Sequence, residues 1–243
     1  MDLPSRLHND LTREYKGLWD QVKDFITARG QGVPDWPEWC YMPMAGAYAI
    51  VGGGGAVPKW KRPDISKVAA IAAWRPTRTV VEISSDRLRS LWEGEKPEEV
   101  SAADLSSLPV WGPYVDLQDV GAAPAEGGIL HLEHDANDGH AEFRGLLINE
   151  DLSTTPALLD LGTDPEEGAR SVVEEAVRVA HSAKEQAPVE PGATKAMFEL
   201  ASPLLSIALY LASEESTWHP ERPTRPPRDT ASPPSESKVY TVE

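Results

Sequence analysis

The sequence predicts an α+β domain in which antiparallel strands, with a hairpin near residues 129–148, pack against an N-terminal helix and two C-terminal helices. Apolar residues recur at helical spacing near both ends of the chain, and β-type segments flank Asp138-Gly139 between them. Helices and strands do not alternate regularly along the sequence. That order disfavours a doubly wound parallel sheet.

The first predicted element is a helix over about residues 5–29, which ends at Gly30 and Gly32. One apolar stripe follows the 3.6-residue period and consists of Leu7, Leu11, Tyr15, Leu18, Val22 and Phe25. The stripe predicts a helix that packs on the domain, with a partner-binding helix as the alternative.

Residues 33–63 are rich in Pro, Gly and Trp. They predict extended or turning chain, because each proline disfavours helix in the residue before it. Beyond them we expect a short helix over 64–74, a strand over 77–83, a helix over 86–92 and a strand over 114–117.

The strongest local signal is Asp138-Gly139, a preferred pair for the two-residue type I′ turn of a hairpin. Such a turn places Glu133 opposite Arg144, an opposite-charge pair, whereas a four-residue loop opposes Glu133 to Glu142. We therefore predict the tight hairpin.

Two helices are predicted after the hairpin. Thr163 and Glu166 form a capping-box pattern around Pro165 that begins a helix running to about residue 187. Its inward positions are expected to be Val172, Ala176, Val179 and Ala183. The last helix, roughly 194–212, is apolar nearly all round and is expected in the core, with a kink or restart at Pro203.

We predict three parts: an N-terminal helix over 1–32, an α+β core domain over 33–215 and a proline-rich linker or tail over 216–243. The final residues, 238–243, look strand-like and stop abruptly. We therefore expect the natural chain to continue beyond them.

Charge is distributed very unevenly along the 243 residues, whose formal net charge is −16. Residues 1–80 hold 11 basic and 8 acidic side chains, residues 81–215 hold 8 and 27, and residues 216–243 hold 4 and 4. This acidity excludes a histone-like, phosphate-coating role, because non-specific nucleic-acid affinity comes mainly from neutralised phosphates. A local basic patch in the first third stays open.

The single cysteine, Cys40, excludes an internal disulfide framework and a Cys-rich zinc site. The N-terminus lacks the pattern of a signal peptide, and the longest apolar run, 204–212, is far short of the roughly 20 residues that cross a bilayer. We expect a cytosolic protein without a cofactor.

The hairpin carries the densest set of metal-ligand residue types. In a strand, His131, Glu133 and Asp135 point to one face, which makes them the weak candidates for a facial metal triad in the alternative function, a metal-assisted nuclease or hydrolase that uses residues 131–140; the favoured expectation is no metal. The alternative is the solvent face of an ordinary hairpin. No nucleophile elbow is present, so an enzyme is not the favoured interpretation.

A basic segment with interleaved tryptophan lies in the first third of the chain. Its densest part is Lys59-Trp60-Lys61-Arg62, a pattern that holds single-stranded RNA by charge and stacking. The alternative is a basic rim paired with the protein's own acidic half.

Trp74-Arg75 and residues 108–117, with further segments along the chain, resemble a type V-A anti-CRISPR family and its uncharacterised relatives on mobile elements. The specific identity is concentrated in Trp74-Arg75 and in residues 108–117. The looser match covers most of residues 33–243 and includes Asp86, Leu88, Leu91, the hairpin, Leu161-Gly162, residues 204–214, Arg222-Pro223 and Val239-Tyr240.

The resemblance implies an inhibitor of bacterial immunity that acts in the host cytoplasm and lowers the amount of the type V RNA-guided nuclease. Its implied partners are the nascent N-terminal peptide of that effector, its mRNA and the ribosome. In the family a basic segment rich in His and Trp follows the final strand, and this sequence stops before it.

A strongly acidic region suits a basic peptide partner and speeds encounter electrostatically. The residues predicted to bind the peptide are Trp74, Arg75, Trp92, Trp111, Tyr114 and Asp116. Core packing is the alternative for Trp74 and Trp111. A non-catalytic interaction scaffold is the third functional hypothesis, beside the peptide binder and the metal enzyme.

Overall fold

A computed structural model of the protein describes residues 2–120, 123–135, 138–182, 191–219, 221–226 and 233–243. The helices are α1 (Leu3–Glu14), α2 (Leu18–Thr27), α3 (Met44–Gly52), α4 (Arg62–Trp74), α5 (Ser85–Glu93), α6 (Ala102–Leu105), α7 (Pro165–Ser182) and α8 (Ala193–Ala212), with a 3₁₀ turn at Lys59–Lys61. The strands are β1 (Thr79–Ile83), β2 (Tyr114–Asp116), β3 (Gly127–His134), β4 (Ala141–Ile148), β5 (Thr154–Asp160), β6 (Trp218–His219) and β7 (Lys238–Val242).

Within the described residues, the strands form one mixed sheet of seven, in the order β5-β4-β3-β2-β1-β7-β6. Strands β2 to β5 form an antiparallel meander, β1 runs parallel to both β2 and β7, and β6 is antiparallel to β7. The α+β prediction is confirmed. Part of the segment predicted as a linker or tail is sheet, because β7 lies between β1 and β6.

Helices cover both faces of this sheet, and alternate strand residues point to opposite faces. On the first face, Val80 and Tyr114 pack with α1 to α4 in one apolar cluster. On the second face, Val81 and Val115 pack with α5 and α8 in another. The N-terminal and C-terminal helices therefore lie on opposite sides of the sheet.

The N-terminal helix differs from its prediction, because the chain forms two helices with a break at residues 15–17. Gly17 has a φ of 72°, a left-handed conformation that favours glycine and ends regular helix there. The predicted apolar stripe is nevertheless buried at Leu7, Leu11, Leu18 and Val22. The apolar periodicity of the sequence correctly predicted which face is buried. It did not predict the break, because α1 and α2 both turn the same apolar stripe toward the core.

The segment over 33–63 also differs, because it contains helix α3 where extended or turning chain was predicted. The helix begins directly after Pro43, a position that tolerates the missing N–H. A Cβ at Gly46 would lie 2.6 Å from the Phe25 ring, so a glycine here lets α2 and α3 pack closely. The helix ends at Gly53, whose φ is 57°.

The predicted hairpin is present, but its predicted register is wrong by two residues. Glu133 lies opposite Glu142, and His131 lies opposite Arg144. The strands continue to His134 and from Ala141, so a longer link replaces the two-residue turn. Residues 136 and 137 of that link lie outside the described residues.

The two facing glutamates, Glu133 and Glu142, do not repel each other in this register, because one is neutralised by protonation and the other by an ion pair. Arg144 forms an ion pair with Glu142 on its own strand. Burial raises the pKa of Glu133 to about 8, although Arg144 and a hydrogen bond from Met44 act in the opposite direction. Glu133 therefore carries a proton at neutral pH and does not repel Glu142.

The two C-terminal helices are present. In α7, Val172 and Val173 are half-buried, whereas Ala176 and Val179 are exposed and were wrongly predicted to point inward. The predicted continuation over 183–187 lies outside the described residues.

Helix α8 runs unbroken through Pro203. It is long and apolar enough to cross a membrane by length and composition alone, yet much of it is buried against the second face of the sheet.

The four short elements predicted between residues 64 and 117 are confirmed as α4, β1, α5 and β2. The Ser101 hydroxyl and the Asp104 carboxylate form the capping box that begins α6. These elements position the site described next.

Candidate functional site: an acidic groove on the open sheet

The first face of the sheet is only partly covered. Strand pairing places Val80, Tyr114 and Val239 side by side; Val80 and Tyr114 are buried in the apolar cluster with α1, whereas Val239 is 53% exposed. The next row toward the carboxyl ends of β1 and β7 holds Glu82 beside Thr241, and both are exposed. The sheet therefore presents a floor that begins under α1 and opens to solvent.

This floor forms a groove, which is a depression of about 540 Å³ between α1 and the carboxyl ends of β1 and β2. Its lining residues are Asp2, Leu3, Arg6, Val80, Glu82, Tyr114, Asp116, Gln118, Glu126, Glu150 and Val239. A smaller depression of about 300 Å³ shares Glu82, Asp116 and Gln118 with it and extends toward α5. A third hollow shares Arg6, Glu126 and Glu150 with it and extends along the loop after β4.

The three connected depressions are strongly acidic. Their described lining holds one guanidinium, Arg6, and seven carboxylates: Asp2, Glu82, Asp116, Asp119, Glu126, Glu150 and Asp151. Negative charges gathered in a cleft focus the field there and attract cations or basic side chains. The groove is therefore suited to a positively charged ligand.

Local hydrogen bonds hold several of these carboxylates in place. Asp2 accepts the Ser5 backbone N–H at 2.8 Å as the N-cap of α1. Asp116 accepts the Gln118 N–H at 3.0 Å. Burial raises the pKa of Asp2, but hydrogen bonds from Ser237 and Ser5 outweigh it and lower the pKa below its usual value. The Asp2 carboxylate is thus charged at neutral pH.

Tyr114 forms the aromatic part of the groove floor. A Cβ at Gly127, on the neighbouring strand, would lie 2.2 Å from Tyr114 Oη, so the phenol occupies the space that a side chain would take. Burial, together with the charges of Asp116, Asp2 and Glu126, raises the pKa of this phenol. Tyr114 therefore keeps its proton and can donate a hydrogen bond.

The structure brings together only two of the six residues predicted to bind peptide. Tyr114 and Asp116 line the groove. Trp74, Trp92 and Trp111 are instead buried in the two apolar clusters, where they cannot line a surface groove.

The indole N–H groups of Trp74 and Trp111 donate hydrogen bonds inside the fold. Trp74 is fully buried and donates to the Thr79 carbonyl at 3.1 Å, while Trp111 donates to the Glu38 carbonyl at 3.0 Å. Core packing, the alternative considered for both, is the arrangement that the structure has.

Arg75 is separate from the groove as well. Its guanidinium lies 5.2 Å from the centre of the Trp19 ring, and burial lowers its pKa. It stabilises the junction between α4 and α2 by a cation–π contact.

The sequence analysis did not single out Asp2, Glu82, Glu126 and Glu150. For Glu82, Glu126 and Glu150 the signal was the excess of acids over residues 81–215, which cannot show which carboxylates meet, and Asp2 lies outside that acidic region. The docking of α1 and the pairing of β1 with β7 bring them together, and neither is visible in local patterns.

The predicted metal triad does not form. His131 and Glu133 are buried, and Asp135 lies beyond the end of β3. Burial lowers the pKa of His131 to about 3. Among the described residues, no group of three His, Cys, Asp or Glu side chains is placed to hold a metal ion.

The basic segment lies at the other end of α1 from the groove. Lys59, Trp60 and Lys61 form the 3₁₀ turn, and Arg62 begins α4. The Lys61 ammonium lies 4.8 Å from the centre of the Tyr15 ring at the end of α1. Because a helix rises 1.5 Å per residue, α1 separates this segment from the groove by roughly 18 Å.

The chain was also compared with known protein families, curated proteins and solved structures. The model of the AcrVA2-like family, described as the anti-CRISPR type V subtype A2 family, matches residues 81–242. No curated protein matches the sequence. A solved structure described as the crystal structure of AcrVA2 is similar with a TM-score of 0.68 and 16% identity, over 98% of this chain and 82% of that one. At that identity the likeness concerns the fold alone.

Proposed function

The chain belongs to the AcrVA2-like anti-CRISPR family, and from this premise we propose that it inhibits type V CRISPR immunity by capturing a basic peptide of the effector nuclease in the acidic groove. The peptide is the N-terminal segment of the effector as it emerges during translation in the cytoplasm of a bacterial host. Its capture lowers production of the effector through loss of the message.

The single observation that carries this proposal is the groove itself. Its lining combines apolar Val80 and Val239, five carboxylates and the Tyr114 phenol, and the two adjoining depressions add the carboxylates of Asp119 and Asp151. Extended peptides are commonly held by apolar contact along the chain and by charge at the rim. The family match over 81–242 includes β2, β7 and the part of β1 from Val81 onward.

The binding experiment uses the full chain and synthetic N-terminal peptides of type V effectors, measured by calorimetry at low and high salt. The test variant is Glu82→Gln with Asp116→Asn, which removes two groove charges and keeps hydrogen-bond acceptors. Exposed charge pairs contribute about 0.2–1 kcal/mol each, so affinity should fall roughly 2- to 30-fold at low salt. The difference should shrink at high salt.

The matched control is Glu166→Gln with Glu167→Gln, which removes the same charge from exposed positions on α7. Equal losses in both variants would mean that net charge alone attracts the peptide. Failure of the wild-type protein to bind any effector N-terminal peptide at low salt would refute the proposal. In a host that carries a type V system, effector protein and mRNA should fall together with the wild type and recover with the groove variant.

A further inference from the structure

A second surface, the basic segment at the far end of α1, has features that the groove does not explain. We propose that this surface, defined by Tyr48, Lys59, Trp60, Lys61 and Arg62 and called the basic platform below, binds single-stranded RNA. It lies outside the residues matched by the family model, so the proposal rests on the structure alone.

The first observation is an exposed tryptophan held in a fixed place. Trp60 is 71% exposed, which is unusual for the largest apolar side chain in a folded protein. It sits in a 3₁₀ turn between Pro58 and Pro63, whose rings fix the backbone on both sides. A flat aromatic ring presented rigidly to solvent is a surface on which a base can stack.

A second exposed aromatic ring belongs to α3, which a hydrogen bond links to the chain before this turn. Tyr48 is 45% exposed, and its hydroxyl accepts the Val57 backbone N–H at 3.4 Å. That hydrogen bond ties α3 to the chain that leads into the 3₁₀ turn. Two exposed rings on neighbouring elements provide stacking positions for successive bases.

Cations surround these rings. Lys59 and Arg62 are exposed, and the Lys61 ammonium lies 5.0 Å from the centre of the Trp60 ring and 4.8 Å from that of Tyr15. The Lys61 charge is thus held close to the stacking surface by two cation–π contacts. Phosphates of a strand stacked on Trp60 would meet these cations.

The charge of the whole protein selects where a polyanion can bind. The net charge is −16, and the nearest acid in sequence, Asp64, is buried and engaged by Tyr15 and Lys67. A nucleic acid is repelled from the groove and attracted to the basic platform. Unpaired RNA fits better than a duplex, because stacking requires bases that are free on one face.

The test is fluorescence anisotropy of the full chain with a labelled 12-nucleotide single-stranded RNA. Three cations predict a slope of about −2 in log affinity against log salt. Trp60→Ala should weaken binding roughly 5- to 150-fold, the range for loss of one stacked base. Trp60→Phe should retain most of the affinity, and Trp60→Leu should lose as much as Trp60→Ala, because leucine is apolar but cannot stack.

Charge is tested with Lys59→Gln and Lys61→Gln together, against Arg178→Gln and Lys195→Gln together as a control at exposed positions of α7 and α8. Only the first pair should weaken binding and flatten the salt slope. The groove variant Glu82→Gln with Asp116→Asn should bind RNA normally, which separates this proposal from peptide capture.

Several outcomes would overturn the proposal. They are no RNA binding at low salt, equal binding of duplex RNA or anionic vesicles, and full affinity in Trp60→Leu. The last would show that the Trp60 ring does not stack on a base.

Discussion

The buried carboxyl of Glu133 gives the fold a pH dependence that can be calculated. Glu133 is 3% exposed, and its Oε1 accepts the Met44 N–H at the start of α3, while its Oε2 is buried without a hydrogen-bond partner among the described residues. Burial raises its pKa from 4.5 to about 8. The folded protein therefore binds a proton that the unfolded chain has released.

Because the pKa is raised on folding, the stabilising effect is fully present below pH 4.5 and is lost as the pH rises toward 8. Each pH unit between the two values costs about 1.4 kcal/mol. Between about pH 5 and pH 7 the wild type should lose roughly 2–3 kcal/mol of unfolding free energy from this group alone.

Glu133→Gln removes the titration and keeps an acceptor for Met44. We expect the difference in unfolding free energy between variant and wild type, measured by urea denaturation, to change by roughly 2–3 kcal/mol in favour of the variant between pH 5 and pH 7. Constant terms, such as the unpaired amide of the glutamine, cancel in this comparison.

Burial lowers the pKa of His131 to about 3. The effect of His131 on the unfolding free energy is opposite in sign to that of Glu133, because it is lost as the pH falls below 6.5. It is present in both proteins and cancels as well. Glu82→Gln, at an exposed position of the same sheet, is the matched control and should follow the wild type. Parallel pH profiles for Glu133→Gln and wild type would refute the argument.

Three further predictions concern stability. Trp74→Ala should cost about 3–5 kcal/mol in urea denaturation, because it empties a fully buried site in the first apolar cluster; a loss under 1 kcal/mol would contradict that placement. Gly127→Val should cost about 1–3 kcal/mol or more and change the near-ultraviolet circular dichroism of Tyr114, because the new Cβ would lie 2.2 Å from its hydroxyl and 2.6 Å from the Val115 carbonyl. Arg222→Ala should lower the melting temperature and cost about 1–2 kcal/mol, because this guanidinium donates to the carbonyls at the end of α8; an unchanged melting temperature would show that these bonds contribute nothing.

Sequence patterns predicted a helix or strand well where residues adjacent in the sequence determine it. The apolar run of α8 follows from neighbouring residues, and the helix is found where it was predicted. The hairpin was located correctly, but its register depends on where Glu133 is buried. That burial is produced by α3, which comes from a distant part of the chain.

The candidate site was predicted less well, for a related reason. Tryptophan marks both core and contact surfaces, and composition cannot separate the two. Trp74 and Trp111 fill the core, while Trp60 is exposed because its turn projects from the fold. Among the residues predicted to bind peptide, Tyr114 and Asp116 line the groove because β2 ends there, beside the carboxyl end of β1.

The position of β7 also affects how this protein is made. Strand β7 pairs with one edge of β1. The backbone groups of residues 79–83 on that edge therefore have no strand partner until residues 238–242 have been synthesised. During synthesis, a short strand with three consecutive apolar or β-branched residues therefore presents unpaired backbone groups. Open edges of this kind join other chains readily, and pairing over such sequence distance is slow. The protein is thus most vulnerable to aggregation while its own translation is unfinished.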